Sequence, residues 1–220
     1  MLITQFIKLL FKSLLEIIYP PFCCHCGKFG AYLCPECFGL IKFYPLSLDI
    51  KIENPELDEL VACAQYAEPI RSLIKKMKYG SVGGIGKVLG KMLWQTTYFP
   101  PVNLITAIPL HPDRKNKRGF NQAEIIAKEL ARLSDTPYGE TLTRTINNKN
   151  QASIKDKEER LRNLENIFQI APKYKTKTLP SKILIIDDVT TTGATLNECA
   201  KVLKKHGVKE VIGLVIAHGS

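Results

Sequence analysis

One stretch constrains the fold more than any other. It is an apolar run, Ile183-Leu184-Ile185-Ile186, followed by Asp187-Asp188 and then by Thr190-Thr191-Thr192-Gly193-Ala194-Thr195. An unbroken apolar run marks a parallel strand buried on both faces, because a half-exposed strand would alternate. Carboxylates at its end stand where open α/β sheets collect their ligands. Hydroxyls and a glycine just before a helix supply backbone N–H groups, the positive end of the helix dipole and uncharged donors, which together favour a phosphate. The paired acids are then placed to accept hydrogen bonds from the vicinal hydroxyls of a sugar. An ATPase strand ending in Asp-Asp would need a partner G-x-x-x-x-G-K-[ST] loop, and the chain has none. The cluster Gly80, Gly83, Gly84, Gly86 resembles one loosely, but it follows a helical pattern rather than a strand. A response-regulator-like acidic pocket would leave the threonine run unexplained.

The surrounding pattern alternates in the same way. Strand 182–188 leads through the loop into a helix over 194–206, with Gly207 as its stop, and then a strand over 210–217. Upstream, a strand over 60–67 precedes helices over 70–79 and 85–98 joined by a glycine-rich turn. A strand over 104–110, a basic loop over 111–118, a helix over 121–133 and a strand over 141–146 follow, and residues 149–163 read as a polar loop with a short helix. Alternating strands and helices of these lengths predict an α/β fold, a parallel sheet with helices on both faces. A chain of 220 residues allows one such domain and a small appendage. Its 45% hydrophobic and 24% charged residues exclude a disordered or multi-span membrane protein.

The appendage is announced by cysteines. Cys23-x-x-Cys26 and Cys34-x-x-Cys37 offer four thiolates that can converge on one tetrahedral zinc. Two such pairs so close together are poorly explained by a redox pair or a disulfide, and seven cysteines is an odd count. Four cysteines leave no open position, so the zinc is expected to be structural. Cys24 and His25 lie inside the first knuckle and are not expected to be ligands, and Cys63 and Cys199 are expected in the core. Unpaired thiols of this kind suit a reducing compartment, which points to the cytoplasm.

Residues 1–18 are apolar, but Lys8, Lys12 and Glu16 recur every four residues and form one polar stripe. That pattern suits neither a secretory signal nor a spanning helix. It predicts an amphipathic helix docked on the body of the protein, with peripheral membrane contact as the alternative. Pro20 and Pro21 stop it. The expected organisation is therefore a helix and zinc-binding domain over 1–48, a linker over 49–59 and the α/β domain over 60–220. A formal net charge of +10 attracts polyanions, whether nucleic acid, acidic lipid or phosphorylated small molecules.

These motifs are joined by Pro109-Leu110-His111-Pro112, Arg114, Arg118-Gly119-Phe120-Asn121-Gln122 and the later Gln151, Arg160 and Asn163. On them the chain resembles, over nearly its full length, the ComF family of competence-associated, type I phosphoribosyltransferase-like proteins. The resemblance implies a type I phosphoribosyltransferase fold with a zinc-ribbon-like N-terminal domain, and a site for 5-phosphoribosyl 1-pyrophosphate. In that site Asp187 and Asp188 would contact the ribose hydroxyls, and Thr190, Thr191, Thr192, Gly193, Ala194 and Thr195 would hold the 5-phosphate. The loop after Leu110, with His111, Arg114 and Arg118, would face a pyrophosphate that travels with magnesium. Arginine forks match phosphate oxygens, and Lys115 and Lys117 add charge to the same loop. Arg118 would join the two aspartates in catalysis, and Arg144 with residues 149–163 would occupy the place of the flexible catalytic loop. The family further implies a cytoplasmic protein supporting uptake of transforming DNA, with other competence proteins as partners and an acceptor the sequence does not name. Two other readings stay open at this point: a non-enzymatic module for single-stranded DNA that takes the sugar phosphate as a ligand, and a nucleotide-salvage transferase.

Overall fold

The computed structural model describes residues 20–45, 52, 55–80, 82–144 and 167–219. The expected helix over 1–18, residues 145 and 146 of the expected strand, Gln151, Arg160, Asn163 and the whole of 149–163 lie outside the described residues.

The centre is a four-stranded parallel sheet of β1 (Glu59–Gln65), β2 (Leu104–Ala107), β5 (Lys182–Thr190) and β6 (Glu210–His218), in the order β1-β6-β5-β2. Ile183, Leu184, Ile185 and Ile186 are fully buried. Leu184 and Ile186 face a core built with α2 (Ile70–Tyr79), α3 (Gly84–Thr96) and α5 (Gln122–Ser134). Ile183 and Ile185 face the opposite core, built with α6 (Ala194–Lys205). Two covered faces are the reason the strand reads as an unbroken apolar run. A short antiparallel pair, β3 (Leu142–Arg144) and β4 (Phe168–Ile170), stands apart from the sheet.

The helices follow from their apolar stripes. Ile70, Leu73, Ile74 and Met77 bury one face of α2. Between α3 and α5 the backbones approach closely at Gly90, where a Cβ would lie 2.9 Å from Cβ of Glu129 and 3.0 Å from the carbonyl oxygen of Ile126. Both sheet edges carry partners. Phe43 bridges Ala64 on the outer side of β1, and Tyr138 bridges Ile105 on the outer side of β2. The first contact also docks the cysteine segment, because Tyr44 N donates to Cys63 O and Gln65 N to Lys42 O.

Three local differences from the sequence expectation have physical causes. Residues 111–118 form not a loop but a helix, α4 (Pro112–Arg118): proline occupies its first turn, His111 Nδ1 accepts from Asp113 N, and Gly119 closes it at φ 78°. Strand β2 ends at Ala107 instead of 110, since Pro109 has no N–H for the ladder, although Ile108 N still donates to Ile186 O. Strand β5 continues past Asp188 because β6 runs beside it, pairing Val189 with Ala217 and Thr190 with His218. Ahead of β1, the buried side chain of Asn197 in α6 accepts from Glu56 N at 2.7 Å and Leu57 N at 3.2 Å. Among the described residues no helix is long and apolar enough to cross a membrane.

Candidate functional site

The carboxyl end of β5 delivers the loop that the sequence singles out. Thr190 is buried and its Oγ1 accepts from Gly193 N at 2.9 Å, which folds the chain into a tight turn. Gly193 adopts φ 73°, a left-handed conformation that costs other residues strain. A Cβ there would also come within 2.8 Å of Cδ1 of Ile52 and 3.0 Å of Cδ2 of Leu60. Thr192 Oγ1 accepts from Ala194 N at 3.4 Å, and α6 starts at Ala194 without a side-chain cap. The first N–H groups of that helix have no intrahelical partner, so Thr195 and its neighbours present donors and the positive end of the dipole. Thr191 and Thr192 are exposed beside them.

The two acids come from consecutive positions and therefore leave opposite faces of the sheet. Asp188 lies on the α2 side, 6% exposed, with Oδ2 2.7 Å from Nζ of Lys78 and Oδ1 accepting from Val189 N. Asp187 lies on the α6 side, where its Oδ1 accepts from Asp188 N at 2.7 Å. Burial, and then the charge of Asp188, push the Asp187 carboxyl well above the usual carboxylate range, against the opposing pull of the Asp188 N–H and Lys78. The strand end thus offers one ion-paired carboxylate and one carboxyl held toward its neutral form.

Lys78 pairs with Asp188 at this end, and Arg144 is near enough to Asp187 for their charges to interact. Arg118 Nη1 donates to Gln122 Oε1 at 3.0 Å, and its guanidinium lies over the ring of Tyr79, the residue after Lys78. Asn121 fixes the corner between β2 and α5: its Nδ2 donates to Ile108 O at 2.8 Å and its Oδ1 accepts from Ala123 N. Since Nδ1 of His111 is an acceptor, its Nε2 carries the remaining donor. Arg114 is exposed on α4. Beyond α4 a cleft of ≈ 260 Å³ is lined by Leu110, Lys115, Glu124, Tyr138 and Arg144 among others. Arg144 stacks over Phe168, and its buried Nε has no hydrogen-bond partner among the described residues. Burial and then the nearby charge of Arg114 pull its guanidinium below the ordinary range.

The four cysteines of the appendage meet as the spacing predicts. The sulfurs of Cys23, Cys26, Cys34 and Cys37 all lie within 4.8 Å of one another, and Cys26 and Cys34 are 3.6 Å apart. Zinc–sulfur bonds of about 2.3 Å in a tetrahedron separate sulfurs by about 3.8 Å, so this donor set fits one zinc. The first knuckle closes through Gly27 N on Cys23 O, and α1 (Pro35–Phe38) carries Cys37. Although burial opposes its ionisation, N–H groups of Cys26, Cys34 and His25 bring the Cys23 thiol down to about 6, whereas burial and then the neighbouring thiols push Cys37 well above the ordinary range, so ligation has to displace protons from the set. Cys24 packs toward the main core and His25 lies 3.5 Å from Glu68, so both point elsewhere. Cys63 and Cys199 are buried in β1 and α6.

Two residues at the site are absent from the sequence expectation. Lys78 continues the buried positions Ile70 and Ile74 at four-residue spacing, and a lysine at the end of an apolar stripe was the available signal. His218 follows the apolar run of β6 at the ligand end of the sheet, and its Nε2 lies 2.9 Å from Thr191 O.

A family model described as phosphoribosyl transferase domain matches residues 116–219. The chain is 29% identical to Competence protein F of Haemophilus influenzae across 87% of its own length and 82% of that protein. It is 30% identical to the DNA utilization protein YhgH of Salmonella typhi, across 81% of each. Among solved structures, the glutamine phosphoribosylpyrophosphate amidotransferase of B. subtilis matches 59% of this chain at 18% identity and a TM-score of 0.42. This chain spans only 25% of that one, a likeness too distant to bear on activity.

Proposed function

The chain belongs to the ComF family of competence and DNA-utilization proteins, and on that footing we propose that it binds 5-phosphoribosyl 1-pyrophosphate at the carboxyl end of β5. The observation that carries this reading is the turn 190–195, where a left-handed glycine, a buried threonine hydroxyl and an uncapped helix start are joined in one loop. Such a loop favours the 5-phosphate. The ribose then lies against Asp187 and Asp188: the ion-paired Asp188 accepts from a hydroxyl, and a protonated Asp187 can also donate to one. The pyrophosphate lies toward Arg118, Arg114 and His111, with magnesium held chiefly by the phosphates as part of the substrate.

The chemistry open to this arrangement is transfer at C1 of the ribose. The bond from C1 to the pyrophosphate oxygen breaks, with its electron pair leaving on pyrophosphate. An acceptor lone pair forms the new bond, and the acceptor's proton passes to solvent. The basic residues of α4 oppose the charge that gathers on the leaving group. In the cell this activity would serve the uptake or use of DNA, as the relatives' names suggest, and it would do so in the cytoplasm alongside other competence proteins. Exclusion of water from C1 would fall to the segment between β3 and β4. The cysteine site would carry one structural zinc.

The test is calorimetric titration of the full chain with phosphoribosyl pyrophosphate and magnesium, followed by a panel of amine, amide and hydroxyl nucleophiles monitored for pyrophosphate release. Saturable binding, then release with one class of acceptor, is the expected result. The absence of binding would end the proposal. Binding without release from any acceptor would reduce the protein to a sensor of the sugar phosphate.

A further inference from the structure

The chain bends sharply as it leaves β5, and two successive carbonyls of the bend are held from β6. Gly219 N donates to Thr190 O at 2.9 Å, which continues the strand ladder. The carbonyl of Thr191 lies beyond that ladder, and the side chain of His218 reaches it, with Nε2 at 2.9 Å. A carbonyl only accepts, so Nε2 carries the proton in this contact. His218 is itself fixed: it pairs in register with Thr190, and its own carbonyl accepts from Tyr66 N at 2.8 Å.

Peptide planarity converts this into an orientation of donors. In a trans peptide the N–H points opposite to the C=O of the same unit. Pinning the oxygens of Thr190 and Thr191 to the β6 side therefore turns the N–H groups of Thr191 and Thr192 to the other side. An extended strand would have pointed them in opposite directions. Successive N–H groups on one side make a concave anion-binding surface. The side chain of Thr192 contributes to the same turn through Ala194 N.

We infer that His218 is a positioning residue for the phosphate loop, holding the Thr191–Thr192 peptide so that the Thr192 N–H is presented to the 5-phosphate. The inference rests on the phosphate reading above. It adds a residue from a different strand, at the far end of the chain, whose role is to orient a backbone donor without touching the ligand.

The test compares His218→Ala with His218→Gln, which restores an N–H donor close to the place of Nε2. Each is titrated with magnesium phosphoribosyl pyrophosphate, with ribose 5-phosphate and with inorganic pyrophosphate, and the Thr192 amide resonance is recorded without ligand. The alanine variant should bind both sugar phosphates about tenfold more weakly, the worth of roughly one net hydrogen bond. It should also shift the Thr192 amide and leave pyrophosphate affinity unchanged, and the glutamine variant should recover most of the loss. If the alanine variant melts early, His218→Phe keeps the ring without the donor and takes its place. Sugar-phosphate affinity unchanged in the variant without a donor, or no recovery with glutamine, overturns the inference while the phosphate site stands. A wild-type protein that binds neither sugar phosphate overturns the phosphate reading and this inference together.

Discussion

Asp187 is where the electrostatics of the site are most exposed to measurement. Its folded carboxyl is shifted upward, by burial first and by Asp188 second. In the unfolded chain the same group ionises near the ordinary value of about 4. Above that pH the folded protein binds the extra proton, so stability falls as pH rises toward the raised folded value. Asp187→Asn removes the titration. The variant should match the wild type near pH 4 and exceed it increasingly toward pH 8, as read from urea midpoints at a series of pH values. Two curves that run parallel would show that the carboxyl is not shifted. The contiguous residues of the site were legible in the sequence because the apolar run, the acids and the threonines follow one another along one strand and its loop. Lys78 and His218 were not, since each reaches the site from an element far away in sequence, and only the strand order β1-β6-β5-β2 brings them near.

Among the elements, the cysteine segment depends most on something beyond its own chain. Ile41, Tyr32 and Phe43 pack onto the main core, and the segment's own cluster is only Cys23, Cys34 and Cys37 with Leu33 beside them, too small a core to hold two knuckles unaided. Metal binding and folding of this segment should therefore be one event. Purified protein should carry one zinc per chain, and Cys23→Ser or Cys37→Ser should release it and raise amide exchange across 23–44, while the amides of β5 and β6 keep their protection. Full metal content without those thiols would remove the assignment. The spacing of the cysteines made this element readable, because ligand geometry leaves few solutions. Helix α4 was harder: its charge suggested a loop, whereas Pro112, the His111 cap and Gly119 make it a helix whose burial is slight. The end of β2 was misjudged for a related reason, since apolar character runs on to Leu110 after Pro109 has already broken the ladder.

At the level of the whole molecule, the parallel sheet was foreseeable from the alternation of strands and helices, but its edges were not. The Phe43 and Tyr138 bridges are single contacts made by segments with no strand pattern of their own. The net charge of +10 is likewise a property of the entire surface, and it gives the protein two ways of meeting a polyanion. Scattered lysines and arginines would bind single-stranded DNA with a steep salt dependence, whereas the loop 190–195 and the acids before it would bind one sugar phosphate by directed hydrogen bonds. Asp187→Ala combined with Thr192→Ala separates the two. It removes hydrogen bonds to a charged ligand worth about 1.5 to 3 kcal/mol each and leaves the cores of the sheet intact. Titration of the wild type and this double variant with magnesium phosphoribosyl pyrophosphate, with DNA binding measured on the same samples, is the most direct test. Sugar-phosphate affinity should fall by roughly a hundredfold or more, with DNA affinity preserved and the thermal midpoint no lower than that of the wild type. Unchanged affinity for the sugar phosphate in a folded double variant would contradict the account.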